Sequence, residues 1–158
     1  MGNRAVITFD DYTPEGVGLY LHWNGGRGSI EGFLKATRIL MEGRVSDGVY
    51  SRARLTQVIG TFFGGNLSFG MGACKELDCT GDNGVFIVDS TTMTIKGRAE
   101  WDASWGEDDD YDTNEFANEI IKRINAGYVV NNEEAGEYSQ LGMLPTAEEY
   151  DAEQLEAK

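Results

Sequence analysis

The chain has 158 residues, 41% of them hydrophobic, with three Trp, seven Tyr and seven Phe, which supports one core-bearing domain and excludes a wholly disordered chain. Its net charge of −14 is the wrong sign for direct nucleic-acid binding or for an anionic membrane surface. No run approaches the roughly 18 apolar residues that span a bilayer, and Met1 to Phe9 lacks the basic and apolar regions of a signal peptide, so a cytoplasmic location is expected.

Arg4 to Phe9 alternates weakly and predicts a strand. Asp10 to Gly16, punctuated by Pro14 and Gly16, predicts a turn into a second strand over Val17 to Trp23, hence a hairpin. Asn24-Gly25-Gly26 ends that strand, and Ser29 is placed to cap a helix running to about Glu42, with Gly43 as its C-cap. A second helix fits Tyr50 to Phe63, where Leu55, Val58, Ile59, Phe62 and Phe63 recur at helical spacing until Gly64-Gly65.

Leu67 to Met71 predicts a short strand, Gly72 to Gly84 a loop, and Val85 to Asp89 a buried strand. Met93 to Trp101 is its partner across the Ser90-Thr91-Thr92 turn. Asp102 to Asp110 reads as an exposed loop. A third helix fits Thr113 to Asn125, with Asp112 and Glu115 spaced as a capping box. Tyr128-Val129-Val130 suggests an edge strand. Thr146 and Glu149 suggest a cap on a helix over Ala147 to Ala157. The expected fold is therefore α+β: an antiparallel sheet of about five strands with two to three helices on one face, in one domain over 1–125, followed by an acidic segment over 126–158.

The charge is unevenly placed. Ten acids and ten bases fall in residues 1–98 and cancel, while residues 99–158 hold seventeen acids against Lys122, Arg123 and Lys158. Such an asymmetry speaks about partners rather than fold. The run Glu107-Asp108-Asp109-Asp110-Tyr111-Asp112 has three readings. Its carboxylates suit a solvated loop before a helix N-terminus. Asp108, Asp110, Asp112, Asn114 and Glu119 fall at calcium-loop spacing, but Thr113 stands where that loop needs glycine. Carboxylates on one surface also imitate the phosphates of nucleic acid, which carry one charge per roughly 1.7 Å of duplex axis. On that reading Trp105, Glu107 to Asp112 and Glu115 form the partner-binding surface, with the aromatics as anchors.

The alternative site is the turn between the second strand and the first helix, where His22, Asn24, Gly25, Gly26, Arg27 and Ser29, joined by Arg52 and Arg54, would cradle a nucleotide or another anion. The bland reading of the same glycines is a strand-to-helix turn. The bland reading of Arg38, Arg44, Arg52 and Arg54 is pairing with the acidic half. His22, Cys74 and Cys79 have no useful zinc spacing, and no nucleophile elbow is present, so no metal, cofactor or catalytic set is expected.

The strings Tyr20-Leu21-His22-Trp23-Asn24-Gly25-Gly26-Arg27 and Gln57-Val58-Ile59-Gly60-Thr61-Phe62-Phe63-Gly64-Gly65 resemble a pattern of small phage and prophage proteins of unassigned function. In general character the chain resembles acidic anti-CRISPR and anti-restriction inhibitors. That resemblance implies a non-enzymatic phage protein in the cytoplasm of an infected bacterium, whose partner is a host defence effector such as a CRISPR–Cas complex.

Overall fold

The computed structural model describes residues 3–42, 44–64, 67–77, 82–107, 111–135 and 143–157, with backbone alone for 128–135. Five strands form one sheet: β1 (Ala5–Phe9), β2 (Val17–Leu21), β3 (Phe69–Ala73), β4 (Val85–Asp89) and β5 (Thr94–Ala99), in the order β3-β2-β1-β4-β5. The helices are α1 (Arg27–Leu40), α2 (Gly48–Phe63), α3 (Thr113–Ala135) and α4 (Ala147–Glu156). The α+β class, the five strands and the helices on one face are as the sequence predicts.

The sheet is mixed rather than wholly antiparallel. β1 pairs with β2, β2 with β3, and β4 with β5 in antiparallel fashion, but the central pair β1–β4 is parallel, with Val6 opposite Val85 and Phe9 opposite Val88. β3 and β4 run in the same sense, so the chain must cross between them. It starts across the helix-free face: a 3-10 turn at Cys74–Glu76 brings Leu77 onto Gly18, where a Cβ would lie 2.8 Å from Leu77 Cδ1.

Period-two alternation sets the two faces of the sheet. Ala5, Ile7, Leu19, Leu21, Phe86 and Val88 point toward the helices and meet Ile30, Phe33, Leu34, Leu55 and Ile59 in the main core. Val6 and Val85 point the other way, under Tyr12, Tyr20 and Leu77.

The helices form two tiers. α1 and α2 lie next to the sheet, and α3 packs on both. Phe116 of α3 enters the main core against Phe33 and Phe62, at ring centroids 5.0 and 4.9 Å away. Gly32 of α1 makes room for it, since a Cβ there would lie 2.6 Å from Phe116 Cδ1. A second cluster, Ile39, Ala117, Ile121 and Ala147 with Leu144 and Tyr150, glues α4 to α1 and α3. α1 is consequently buried around most of its circumference, Lys35 included.

Element ends show where local chemistry decides. α1 begins at Gly26, three residues before the expected cap. Gly25 sits tight against the backbone of Asn3 and Arg4 and donates to Asn3 O at 2.8 Å, so the chain turns there and Ser29 is buried inside the helix. Its C-cap is Met41; the expected cap Gly43 lies outside the described residues. α2 starts at Asp47, whose side chain accepts from Val49 and Tyr50 N–H, and stops at Gly64 with φ 60°. β3 lies two residues later than expected and takes Gly72 and Ala73 from the predicted loop. α3 starts where predicted, with Asp112 Oδ1 accepting from Glu115 N–H at 3.1 Å. It then runs ten residues further, so Tyr128, Val129 and Val130 are helical rather than an edge strand, and residue 125 marks no break. α4 carries the predicted capping box of Thr146 and Glu149.

Candidate functional site: an acidic helical tier

The outer tier carries most of the described acids of the C-terminal half. Glu115 and Glu119 on α3, and Glu148, Glu149, Glu153 and Glu156 on α4, are all exposed. Helix periodicity produces this: Phe116, Ala117, Ile120 and Ile121 take the buried stripe of α3, and Ala147 with Tyr150 that of α4, which leaves the glutamates outside. Leu155 adds an apolar side chain, 73% exposed, between Glu153 and Glu156.

Little of this charge is neutralised internally. Among the described residues its ion pairs are Lys35 Nζ to Asp151 Oδ2 at 2.7 Å, Arg123 Nε to Glu119 at 3.7 Å, and Arg98 to Glu107. Of Arg38, Arg44, Arg52 and Arg54, none forms an ion pair with the acidic half among the described residues, although Arg38 lies close enough to Asp151 for the two charges to interact. Arg38 donates to Met93 O at 2.7 Å, Arg44 lies over the Tyr50 ring, Arg52 bonds Asp10 at 2.8 Å, and Arg54 bonds Gln57 at 2.5 Å. Of the four, only Arg38 acts on the described acidic half, through its charge on Asp151; Arg44, Arg52 and Arg54 make their contacts within residues 1–98.

The predicted partner-binding residues are split. Asp108, Asp109 and Asp110 lie outside the described residues. Trp105, at the end of a 3-10 turn (Ala103–Trp105), is 58% exposed, and Tyr111 is 53% exposed with its ring 5.0 Å from that of Phe116. Asp112 is the N-terminal cap of α3, and Glu115 stands free in its first turn. Glu107 turns inward to Arg98.

Arg98 is the residue that sequence reading missed. It occupies a helix-facing position of β5, paired across the ladder with Phe86. Its guanidinium lies between the rings of Phe86 and Trp101, 4.2 and 3.8 Å from their centroids, with 7% of the side chain exposed. Nε donates to Asn83 O at 3.1 Å, while Nη2 is buried with no hydrogen-bond partner. Burial pulls its pKa below the usual arginine value, and Glu107 opposes that. Arg98 thus ties the start of the acidic half to the sheet. A charged residue at an apolar phase of a strand was the available signal.

The alternative ligand residues do not form one site. His22, Asn24, Gly25, Gly26, Arg27 and Ser29 gather at the end of the sheet where β1 begins. There His22 Nδ1 lies 2.9 Å from Tyr20 Oη and Arg27 bonds Glu31 at 3.2 Å. Arg52 is at the other end, where Asp10 follows β1 with φ 66°. Asp10 accepts from Ser90 N–H at 2.9 Å and Ser90 Oγ–H at 2.7 Å as well as from Arg52. Partial burial raises its pKa, but those hydrogen bonds outweigh it and hold the carboxyl at about 2. The group links the ends of the parallel strands β1 and β4 to α2, because Ser51 Oγ donates to Ser90 O in the same cluster.

No group of three or more His, Cys, Asp or Glu among the described residues is arranged to hold a metal ion. No helix of the described residues is long and apolar enough to cross a membrane. Neither a protein-family model nor a curated protein nor a solved structure matches the chain.

Proposed function

We propose that the protein is a binding protein that docks its acidic tier, α3 and α4 with Trp105 and Tyr111 at the margin, onto a basic nucleic-acid-binding surface of another protein. One observation carries the reading. α4 ends on Glu153 and Glu156, with no basic residue in its last turn. Carboxylates at a helix C-terminus oppose the helix dipole, at about 0.3–1 kcal/mol each. Residues that weaken their own helix, exposed and without a basic partner among the described residues, are placed for something outside the chain. The resemblance to acidic phage inhibitors supplies the partner class: a defence effector of CRISPR–Cas type, met in the cytoplasm of an infected bacterium and deprived of its nucleic acid by competition.

The test is binding to purified nucleic-acid-handling effectors at low and high salt, with Glu153→Lys/Glu156→Lys as the variant. Binding falls steeply with salt and falls further in the variant, while thermal stability stays level or rises because the dipole is now complemented. Binding that ignores both salt and charge reversal sinks the proposal.

A second reading places a nucleotide or similar anion at the N-terminus of α1. It is favoured by the absence of a side-chain cap at Gly26 and of any acid in the first turn. Thermal stabilisation by nucleotides that disappears in Arg27→Ala supports that reading, and its absence removes it.

A further inference from the structure

The sheet ends on two unlike edges. β5 closes one of them with a register shift that makes Lys96 the extra residue, and Thr94 and Lys96 are exposed there. Bulges and lysines discourage another strand from adding. β3 closes the other edge as Phe69-Gly70-Met71-Gly72-Ala73, without charge, proline or bulge in its pairing to β2.

Two bonds set the parity of the β2–β3 ladder: His22 N–H to Ser68 O and Cys74 N–H to Gly16 O, both 2.9 Å. Ser68, Gly70, Gly72 and Cys74 therefore bond inward, and the alternation of an antiparallel pair turns the N–H and C=O of Phe69, Met71 and Ala73 outward. No hydrogen bond of the described residues reaches those outward groups. Beside them, Met71 is 58% and Leu67 98% exposed.

We infer that this edge receives β3 of a second copy of the chain, antiparallel, about a two-fold axis through Met71. The outward groups are centred on Met71, so the same strand reversed satisfies all of them, with about six hydrogen bonds. Phe69 then faces Ala73 of the other copy. Gly70 faces Gly72 at the narrow non-hydrogen-bonded sites, where Cα atoms approach to about 4.5 Å and the absent Cβ atoms leave the strands free to close. Met71 meets Met71, and Leu67 lies opposite the aliphatic stem of Lys75.

A foreign peptide would satisfy the backbone equally well. What selects a second copy is the symmetry of Gly-Met-Gly about the outward-facing centre, together with charge. β3 belongs to the half whose ten acids and ten bases cancel, so two copies meet there without local repulsion. The charge excess of each chain belongs to residues 99–158, whose described glutamates lie on α3 and α4 and not on β3, and salt screens it.

Sedimentation velocity over a concentration series tests the inference. A concentration-dependent dimer is expected, and it tightens with added salt, the reverse of binding through the acidic tier. Met71→Lys sets two ammonium groups opposite each other and weakens the dimer by about tenfold or more; Thr94→Lys on the β5 edge leaves it unchanged. Amide hydrogen exchange gives a second readout: the N–H groups of Phe69, Met71 and Ala73 gain protection as concentration rises, while those of Gly70 and Gly72 are protected throughout. The inference is overturned by a chain that stays monomeric up to its solubility limit, or by a dimer indifferent to Met71→Lys. Protection of the Met71 amide only when a foreign peptide is added overturns it as well.

Discussion

Replacing Lys35 by methionine keeps the buried stem of the side chain and removes only its ammonium. Lys35 lies on α1 with 11% of its side chain exposed, and its Nζ donates to Asn114 Oδ1 of α3 at 2.5 Å and to Asp151 Oδ2 of α4 at 2.7 Å. Those two bonds form a polar clamp from α1 to both helices of the acidic tier, beside the bonds of Thr113 to Glu31 and of Arg123 to Phe62 O. A hydrogen bond to a charged group contributes about 1.5–3 kcal/mol when buried. Asp151 is 46% exposed, so water recovers part of the loss and about 2 kcal/mol remains. For a chain of this size that lowers Tm by about 4–8 °C. Hydrogen exchange locates the effect: the amides of 147–156 exchange faster, while those of β1 and β4 change only as far as global stability does. The pH dependence has a definite sign. The hydrogen bond from Lys35 is the largest of the causes that hold the Asp151 carboxyl below its usual range. This contribution is complete above the ordinary carboxylate pKa and is lost as pH falls through the depressed one, so wild type and Lys35→Met converge in acid. A variant with unchanged Tm and unchanged protection in α4 would refute the clamp.

Gly32→Ala forces a methyl against Phe116; the better helix propensity of alanine recovers up to about 1 kcal/mol, but overpacking leaves a net loss of about 1–2 kcal/mol, measured by urea unfolding. Asp10→Asn destabilises by about 1 kcal/mol near neutrality after allowance for its exposure. The gap to wild type closes as pH falls from about 4 toward about 2, the interval over which wild-type Asp10 protonates, as acid titration of stability will show. Thr146→Ala removes the cap of α4 and costs about 1 kcal/mol, seen as faster exchange at Ala147 to Tyr150. Glu107→Gln, which keeps the shape but not the charge facing the buried Arg98 guanidinium, destabilises more than the same change at Glu115, which faces no buried cation; equal effects by thermal melting would contradict that role of Glu107.

Local signals were the legible ones. The apolar run of the buried strand Val85 to Asp89, the apolar stripe of α2 and the Thr146/Glu149 capping box are written within a few residues, and the structure follows them. The parallel pairing of β1 with β4 was not legible, because it depends on a crossing whose mark among the described residues is Gly18 beneath Leu77. Ser29 has the chemistry of a cap, but the close approach of Gly25 to β1 moves the helix start earlier; tertiary contact overrode the local preference. Tyr128-Val129-Val130 has strand composition, yet it continues a helix already under way from Thr113, and extending a helix is far easier than ending it and starting a strand. The acidic half was legible as composition. That Glu115, Glu119, Glu148, Glu149, Glu153 and Glu156 would lie on the outer faces of two helices, while Arg52 and Arg54 of α2 bond elsewhere, required the tiers to be seen.

The two-tier arrangement separates the centre of charge from the centre of mass. α1 and α2 stand between the sheet and a tier of glutamates of which, among the described residues, only Glu119 has a basic partner. On the proposed reading, the field of a cationic partner surface would exert a torque as well as an attraction on such a body, turning α3 and α4 forward before contact. Encounters beginning with the sheet side leading would then be converted into productive ones during approach, and added salt would slow such binding twice over, by weakening the pull and by letting the molecule arrive facing the wrong way.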